Sequence, residues 1–206
     1  MINPREIIKT VKNNFKLKGM IVVGANKCKE LWVYRRSGLN PIILFEPLPD
    51  QYETLLKKSN KVLIHNLAVS NFNGEANFYV ASNSVSSSLM KPKEVVHDQK
   101  INVIEEITVK VVTLDNFIDN KNEINLLVID AEGSEMNILK GAEKMLLENI
   151  DVLSVELNYK ENYEGLTYAE EVKEYINNLG FVMIKEVFGD QTKAYTDALY
   201  IKTNLR

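Results

Sequence analysis

Short apolar runs rich in β-branched residues recur along the chain, with helix-spaced apolar positions between them. Behind Asn3 and Pro4, which suit an N-cap and a first helical position, Ile7, Ile8, Val11 and Phe15 fall on one helical face. This predicts an N-terminal helix within residues 1–18. Met20-Ile21-Val22-Val23 then reads as a buried strand stopping at the turn Gly24-Ala25-Asn26, with a helix through Leu31, Trp32 and Tyr34 behind it. The rhythm repeats: Pro41-Ile42-Ile43-Leu44-Phe45 ends at Glu46, and Asp50 caps a helix reaching Lys58. Val62-Leu63-Ile64 is a third strand, ahead of Leu67-Ala68-Val69. Strands alternating with helices favour a parallel sheet covered on both faces, because parallel crossovers need a dozen or more residues.

From about Ala76 to Thr113 the rhythm changes. Ala76-Asn77-Phe78-Tyr79-Val80 and Val109-Lys110-Val111-Val112 read as strands flanking a polar stretch that holds Ser82, Ser84, Ser86, Ser87 and Ser88. We read 76–113 as an inserted, β-rich flap; long excursions in compact domains usually serve function, and a plain solvated loop is the competing reading. The alternation then resumes with Ile124 to Ile129, closed by Asp130-Ala131-Glu132-Gly133. One helix is expected from Glu135 to Asn149, with Ile138, Leu139, Ala142, Met145 and Leu146 on one face and an acidic start suited to the helix dipole. Val152 to Glu156 is the fifth strand, Tyr168 to Leu179 a helix ended by Gly180, and Phe181 to Val187 the sixth strand. Ala198 to Lys202 closes the sheet, and the short link through Gly189-Asp190 predicts an antiparallel hairpin. No repeat or shift in composition breaks the chain, so 1–206 is expected to be a single domain.

Composition narrows the function. Lys and Arg total 25 against 28 Asp and Glu, a net charge of -3, so no overall positive field exists to hold a nucleic-acid backbone. One cysteine, Cys28, and two histidines, His65 and His97, are too few for a typical zinc site or an internal disulfide, which points to a reducing, cytoplasmic setting. No apolar run reaches signal-peptide or membrane-spanning length, so no membrane span is expected.

Open α/β sheets bind ligands beyond the C-terminal ends of their strands, where the strand order reverses. Gly24 and Asn26 follow the first strand, Glu46 the second, Asp130 and Glu132 the fourth, Glu156 and Asn158 the fifth. Glu46 lies 22 positions after Gly24, close to the roughly 20-residue separation at which an acidic side chain accepts ribose hydroxyl protons. A nucleoside-containing cofactor follows. Gly24-Ala25-Asn26-Lys27-Cys28-Lys29 lacks two of the three glycines of a dinucleotide fingerprint, and no phosphate loop occurs, so NAD and ATP lose ground. S-adenosylmethionine carries adenosine without phosphates and fits better.

Val23-Gly24-Ala25-Asn26, Phe45-Glu46-Pro47-Leu48-Pro49, Ala68-Val69-Ser70, Thr113-Leu114-Asp115, Asp130-Ala131-Glu132-Gly133-Ser134-Glu135, Leu139-Lys140-Gly141-Ala142 and Val155-Glu156 occur in this order. Together they resemble the FkbM family of S-adenosylmethionine-dependent methyltransferases, over about Gly19 to Asn158. The resemblance implies a Rossmann-like class I methyltransferase fold, a seven-stranded, mostly parallel sheet of order 3-2-1-4-5-7-6, and methyl transfer to an oxygen, often a sugar or glycan hydroxyl. It assigns cofactor contacts to Gly24, Ala25, Asn26, Glu46, Pro47, Ala68, Val69 and Asp130. Two positions depart from the family: Val22 stands where an acidic residue is usual, and Cys28 where a second glycine is usual. The amino-acid end of the cofactor then falls to other groups, with Asn26, Ser70 and Asp130 the candidates.

For catalysis, Asp130 and Glu132 alternate along an extended strand end and so project to one side, while Glu156 on the neighbouring strand comes towards Asp130. Any of the three can act as base, and Asp130 with Glu156 can hold Mg²⁺ or Mn²⁺. Helix capping is the plainer reading of this acidic run, above all for Glu135. His97 in the flap is a weaker base candidate, His65 reads as structural, and Trp32, Tyr159 and Tyr163 are candidates to stack on an acceptor sugar. Replacing Glu46 by Ala is expected to reduce cofactor affinity before stability. The rival readings are an NAD(P)-dependent oxidoreductase on a related sheet and a non-catalytic binding module that keeps the fold.

Overall fold

The computed structural model describes residues 2–13, 15–58, 60–96, 99–119, 121–189 and 193–203. Its elements run α1 (Pro4–Val11), β1 (Gly19–Val23), α2 (Leu31–Arg36), β2 (Ile42–Phe45), α3 (Pro49–Leu56), β3 (Leu63–His65) and β4 (Ala68–Val69). Then come β5 (Gly74–Ala81), β6 (Val95–Val96), β7 (Gln99–Lys100), β8 (Val103–Val112), α4 (Leu114–Phe117) and β9 (Ile124–Ile129). The chain continues with α5 (Glu135–Lys140), α6 (Glu143–Glu148), β10 (Val152–Asn158), α7 (Ala169–Asn178), β11 (Phe181–Phe188) and β12 (Tyr195–Lys202).

Seven strands form one sheet in the order β3-β2-β1-β9-β10-β12-β11, in which β12 runs antiparallel to both neighbours, β10 and β11. Taken in chain order these are the first to seventh strands of the sheet, so the expected order 3-2-1-4-5-7-6 is the observed one. The apolar runs are continuous because both faces are covered. On β1, Met20 and Val22 join a core with Ile7 and Val11 of α1, Tyr34 of α2 and Leu55 of α3. Ile21 and Val23 face the other way, into a core with Ile138 of α5, Leu146 of α6 and Ile176 of α7. Asn3 and Pro4 start α1 as expected, with Asn3 Oδ1 accepting the Arg5 N–H (2.9 Å). Gly180, at φ +82°, ends α7.

The excursion is a second sheet, β4-β8-β5. Its long β5–β8 hairpin returns a single turn at Ser84–Ser86 towards the crest of the main sheet, where Asn26 Nδ2 donates to the Ser84 carbonyl (3.4 Å). Ser88 Oγ bonds the Ala131 carbonyl (3.3 Å), so the serine stretch lies against the crest.

Three expectations change. The helix expected from Glu135 to Asn149 is two helices, α5 and α6, broken at Gly141 and Ala142. A β-carbon at Gly141 would sit 2.0 Å from the Ser70 carbonyl oxygen, so the chain passes β4 at a distance only glycine permits. Asp115 then starts α6 afresh, its carboxylate accepting the Lys144 N–H (2.9 Å) and the Met145 N–H (2.8 Å). Asp50 does not cap α3: Leu48 holds the N-cap position and Pro49 the first turn. β10 continues past Glu156 to Asn158, leaving Glu156 inside the strand. The Asp190 end of the expected hairpin link lies outside the described residues, although β11 and β12 pair antiparallel.

Candidate active site

The strand order reverses between β2 and β9 on either side of β1, and the polar residues singled out above gather over that point. Gly24 leaves β1 at φ +75°, and its absent β-carbon would lie 1.8 Å from the Asp130 carbonyl oxygen, so the ends of β1 and β9 touch there. The turn keeps left-handed backbone at Asn26 (φ +44°) and at Cys28 (φ +34°). Cys28 thus adopts the conformation for which glycine is the default.

Glu46 is 3% exposed, and its two carboxylate oxygens accept the Asn26 N–H (2.6 Å) and the Leu48 N–H (2.8 Å). Burial pushes its carboxyl up to about 7, against those two N–H bonds, which favour the ionised form. Alanine here would leave both N–H groups without their acceptor, and glutamine, with one amide oxygen, keeps an acceptor for only one of them, so the expected separation of affinity from stability needs the ligand-free melting point measured beside the affinity.

A cavity of about 650 Å³, counted with its open mouth, lies against these groups. Its wall takes in Gly24, Asn26, Glu46, Pro47, Ala68 and Val69 among the sequence-derived contacts, together with Asp130 and Glu132. Leu48, Leu67, Phe78 and Leu89 give it an apolar flank, and Ser84, Ser87 and Ser134 add hydroxyls. Ala25 faces instead a second pocket, of about 960 Å³ counted with its mouth, whose wall also holds Val22, Cys28 and Tyr34. Both pockets share Gly24, Asn26 and Asp130. Ser70 lines neither, and its carbonyl packs under Gly141.

Carboxylate oxygens of Asp130, Glu132 and Glu156 lie within 4.8 Å of one another. The proximity was expected, but its cause differs: Glu132 sits at φ +55° and Gly133 at φ +95°, so a left-handed turn, and not extended alternation, brings the groups together. Glu135 builds that turn, its Oε1 accepting the Ala131 N–H (3.1 Å) and the Gly133 N–H (3.3 Å). Burial raises its carboxyl to about 8. Glu156 is driven well above the ordinary carboxylate range, first by burial and then by Glu132, Asp130, Glu135 and Asp197. Asn158 Nδ2 donates to Glu156 Oε1 (3.1 Å) and Asn162 Nδ2 to Asn158 Oδ1 (2.9 Å), which fixes the carboxyl's orientation.

Tyr163 is fully buried and donates its hydroxyl to Glu132, a role its sequence position did not reveal. It offers no face for sugar stacking. Trp32 stands on α2 between Arg5 (4.6 Å) and Arg36 (5.8 Å), and Tyr159 bonds Glu186; neither lines the two crest pockets. His65 stacks with Phe45 (5.2 Å) and Phe117 (4.9 Å), in keeping with a structural role. His97 lies outside the described residues.

Burial pushes the Cys28 thiol up to about 11, with Glu30 adding to it. Because the thiolate is the reactive form, alkylation of the folded protein at neutral to mildly basic pH is expected to run about a hundredfold slower than in denaturant. Mass spectrometry of a timed iodoacetamide reaction checks this; equal rates would contradict it.

A sheet of this order with its polar residues gathered at the switch point is the Rossmann-like methyltransferase fold. The family model described as "Methyltransferase FkbM domain" matches residues 23–183, and the chain belongs to that family. Among solved structures it is similar to methyltransferase FkbM from Methylobacillus flagellatus KT, at 16% identity and a TM-score of 0.60, over 92% of this chain and 45% of that one. The chain therefore spans under half the length of that relative. It is also similar to magnesium protoporphyrin IX methyltransferase from Synechocystis PCC 6803 with bound SAM, at 6% identity and a TM-score of 0.55, over 97% of this chain and 79% of that one. A third, Streptococcus pneumoniae Sp1610 in complex with S-adenosyl-L-methionine, shares 11% identity and a TM-score of 0.53 over 100% of this chain and 75% of that one. No curated protein matches the sequence significantly. No helix among the described residues is long and apolar enough to cross a membrane.

Proposed function

We propose that this chain is an S-adenosylmethionine-dependent O-methyltransferase that acts on a hydroxyl group, most naturally one of a sugar or glycan. The observation that carries the reading is one continuous crest: an apolar pocket with Glu46 in its wall ends at the Asp130, Glu132 and Glu156 carboxylates. The residues fit the cofactor, since the apolar lining suits adenine and the buried acid at position 46 suits two ribose hydroxyls. When bound, S-adenosylmethionine supplies an electrophilic methyl group whose departure leaves a neutral thioether.

The chain's own residues then have two tasks. They hold an acceptor oxygen in line, which supplies much of the rate, and they take its proton. Asp130 is the base in this reading because, of the three clustered carboxylates, it is the one that lines both crest pockets. Glu156, whose carboxyl is pushed well above the ordinary range by burial and by the neighbouring carboxylates, hydrogen-bonds and orients the acceptor. The three oxygens are also where Mg²⁺ or Mn²⁺ would bind, and such an ion would acidify the acceptor hydroxyl. So many carboxylates beside the acceptor position repel phosphates and favour an uncharged polyol over nucleic acid. A cytoplasmic location belongs to the same reading, in keeping with the single, half-buried Cys28.

Methyl-labelled S-adenosylmethionine incubated with a panel of mono- and oligosaccharides, with and without a chelator, tests the proposal. Label on a carbohydrate oxygen is expected; label on nitrogen, or none on any hydroxyl acceptor, would refute it. Full turnover after exhaustive chelation would remove the metal alone.

The raised Glu46 carboxyl adds a pH dependence. Its folded-state value of about 7 lies above the ordinary 4.5. This contribution to stability is therefore complete at low pH and is lost as pH rises between those values. Cofactor binding runs the other way, because only the ionised carboxylate accepts from both ribose hydroxyls. S-adenosylhomocysteine is expected to bind the wild type more tightly at about pH 8 than at about pH 6, and the Glu46→Gln variant with no such difference. A wild-type affinity that is flat over that range would contradict the role.

A further inference from the structure

Residues 1–36 hold nine of the chain's 25 Lys and Arg but only two of its 28 Asp and Glu. On α1, Arg5, Lys9 and the C-cap residue Lys12 fall at i, i+4 and i+7, which makes them one exposed stripe. On α2, Trp32 and Arg36 are four apart and also exposed. The two stripes meet at the indole. Arg5 lies 4.6 Å and Arg36 5.8 Å from the centre of the Trp32 ring, and Trp32 is still 46% exposed. Neither acid of the segment falls on these stripes: Glu6 is bonded to Lys185 of β11, and Glu30 is the N-cap residue of α2, two positions before Trp32. Across the sheet, α6 and α7 expose Glu143, Glu148, Glu170, Glu171 and Glu174. The α1–α2 face is therefore basic while the opposite layer is rich in acids.

We propose that the α1–α2 face docks on an anionic lipid bilayer, with Trp32 at the depth of the headgroups and Arg5, Lys9, Lys12 and Arg36 against their phosphates. Charge and ring together select that partner. Cationic side chains are drawn to a negatively charged leaflet, and the amphipathic indole prefers the headgroup level. A single-stranded nucleic acid would instead call for several aromatic faces on which successive bases stack. Here one ring stands between two guanidinium groups. The acids of the opposite layer are repelled by the same lipid surface, which turns the basic face towards it. With a single ring to bury, docking is peripheral and reversible.

Trp32 is the chain's only tryptophan, so its emission reports on this face. With vesicles of equal parts phosphatidylglycerol and phosphatidylcholine at low salt, the wild type is expected to sediment with the lipid, its emission to move to shorter wavelength, and acrylamide to quench it less. With phosphatidylcholine alone none of these is expected. Salt at about 1 M, where the Debye length is about 3 Å, should reverse all three. Lys9→Glu combined with Lys12→Glu should lower partitioning onto the anionic vesicles about tenfold or more. Lys140→Glu combined with Lys144→Glu makes the same change of charge at exposed positions of the opposite layer and should leave partitioning within about twofold. Equal losses in the two variants would mark an effect of net charge, and lipid binding with unchanged emission would place the contact elsewhere. No binding to the anionic vesicles, or equal binding to both kinds, would remove it. Single-stranded RNA that shields Trp32 as well as the vesicles do would mark a general polyanion surface. Each of these results overturns the assignment, and the wild-type measurements decide it even where a variant misfolds.

Discussion

Asp130→Asn is expected to lower the methyl-transfer rate at saturating cofactor by about 100- to 10,000-fold, the range over which a positioned base contributes. The substitution keeps the side chain's shape and leaves the backbone contacts alone: the Asp130 N–H still donates to the Val23 carbonyl (3.1 Å), and its own carbonyl still packs on Gly24. The amide cannot take the proton, and it also gives up the charge that Asp130 would offer a metal or the cofactor, so the rate is read at saturating cofactor and metal. Glu132 and Glu156 stand within 4.8 Å and belong to the same unit, so the three losses will not add. Single-turnover kinetics with labelled cofactor measure the effect. A rate near that of the wild type would remove Asp130 from the chemistry and transfer the role to Glu132.

The largest effect on stability is expected at Gly24. An alanine there places a β-carbon 1.8 Å from the Asp130 carbonyl oxygen on a backbone at φ +75°. Neither atom belongs to a flexible side chain, so β1 and β9 must separate at the sheet's centre. A loss of roughly 3–5 kcal/mol is expected, at the upper end of single substitutions. Gly38 provides the control: it too is left-handed, at φ +83°, but nothing lies within 4 Å of its missing β-carbon. Gly38→Ala should cost only about 1–2 kcal/mol, for the conformation alone. Urea unfolding midpoints of the two variants separate crowding from backbone strain; equal losses would contradict the close approach.

What the sequence made legible follows from how each feature is encoded. β1, β2, β9 and β10 are covered on both faces, so β1, β2 and most of β9 are apolar runs that no helical period imitates, while β10 buries Ser154, Glu156 and Asn158 among its apolar residues. Glu46 was legible for the same reason, as the first charge after such a run. The break between α5 and α6 was not, because Gly141 is required by the Ser70 carbonyl, a neighbour in space only. Thr113-Leu114-Asp115 stood out as a family signature without disclosing a role, and the role is structural: Asp115 starts α6. The left-handed turn at Glu132 was hidden because local alternation gave the right proximity through the wrong geometry. Tyr163 looks in sequence like an ordinary aromatic core residue, and what distinguishes it is the Glu132 carboxylate that its hydroxyl bonds.

Everything functional here depends on Glu46 holding the nucleoside of the cofactor. Titration calorimetry of S-adenosylhomocysteine into the wild type and into Glu46→Gln, at about pH 8, tests that most directly. One site per chain is expected, weakened about tenfold or more in the variant, as the amide loses the charge and one of the two acceptor oxygens. No heat with the wild type, or the same affinity in both proteins, would contradict it.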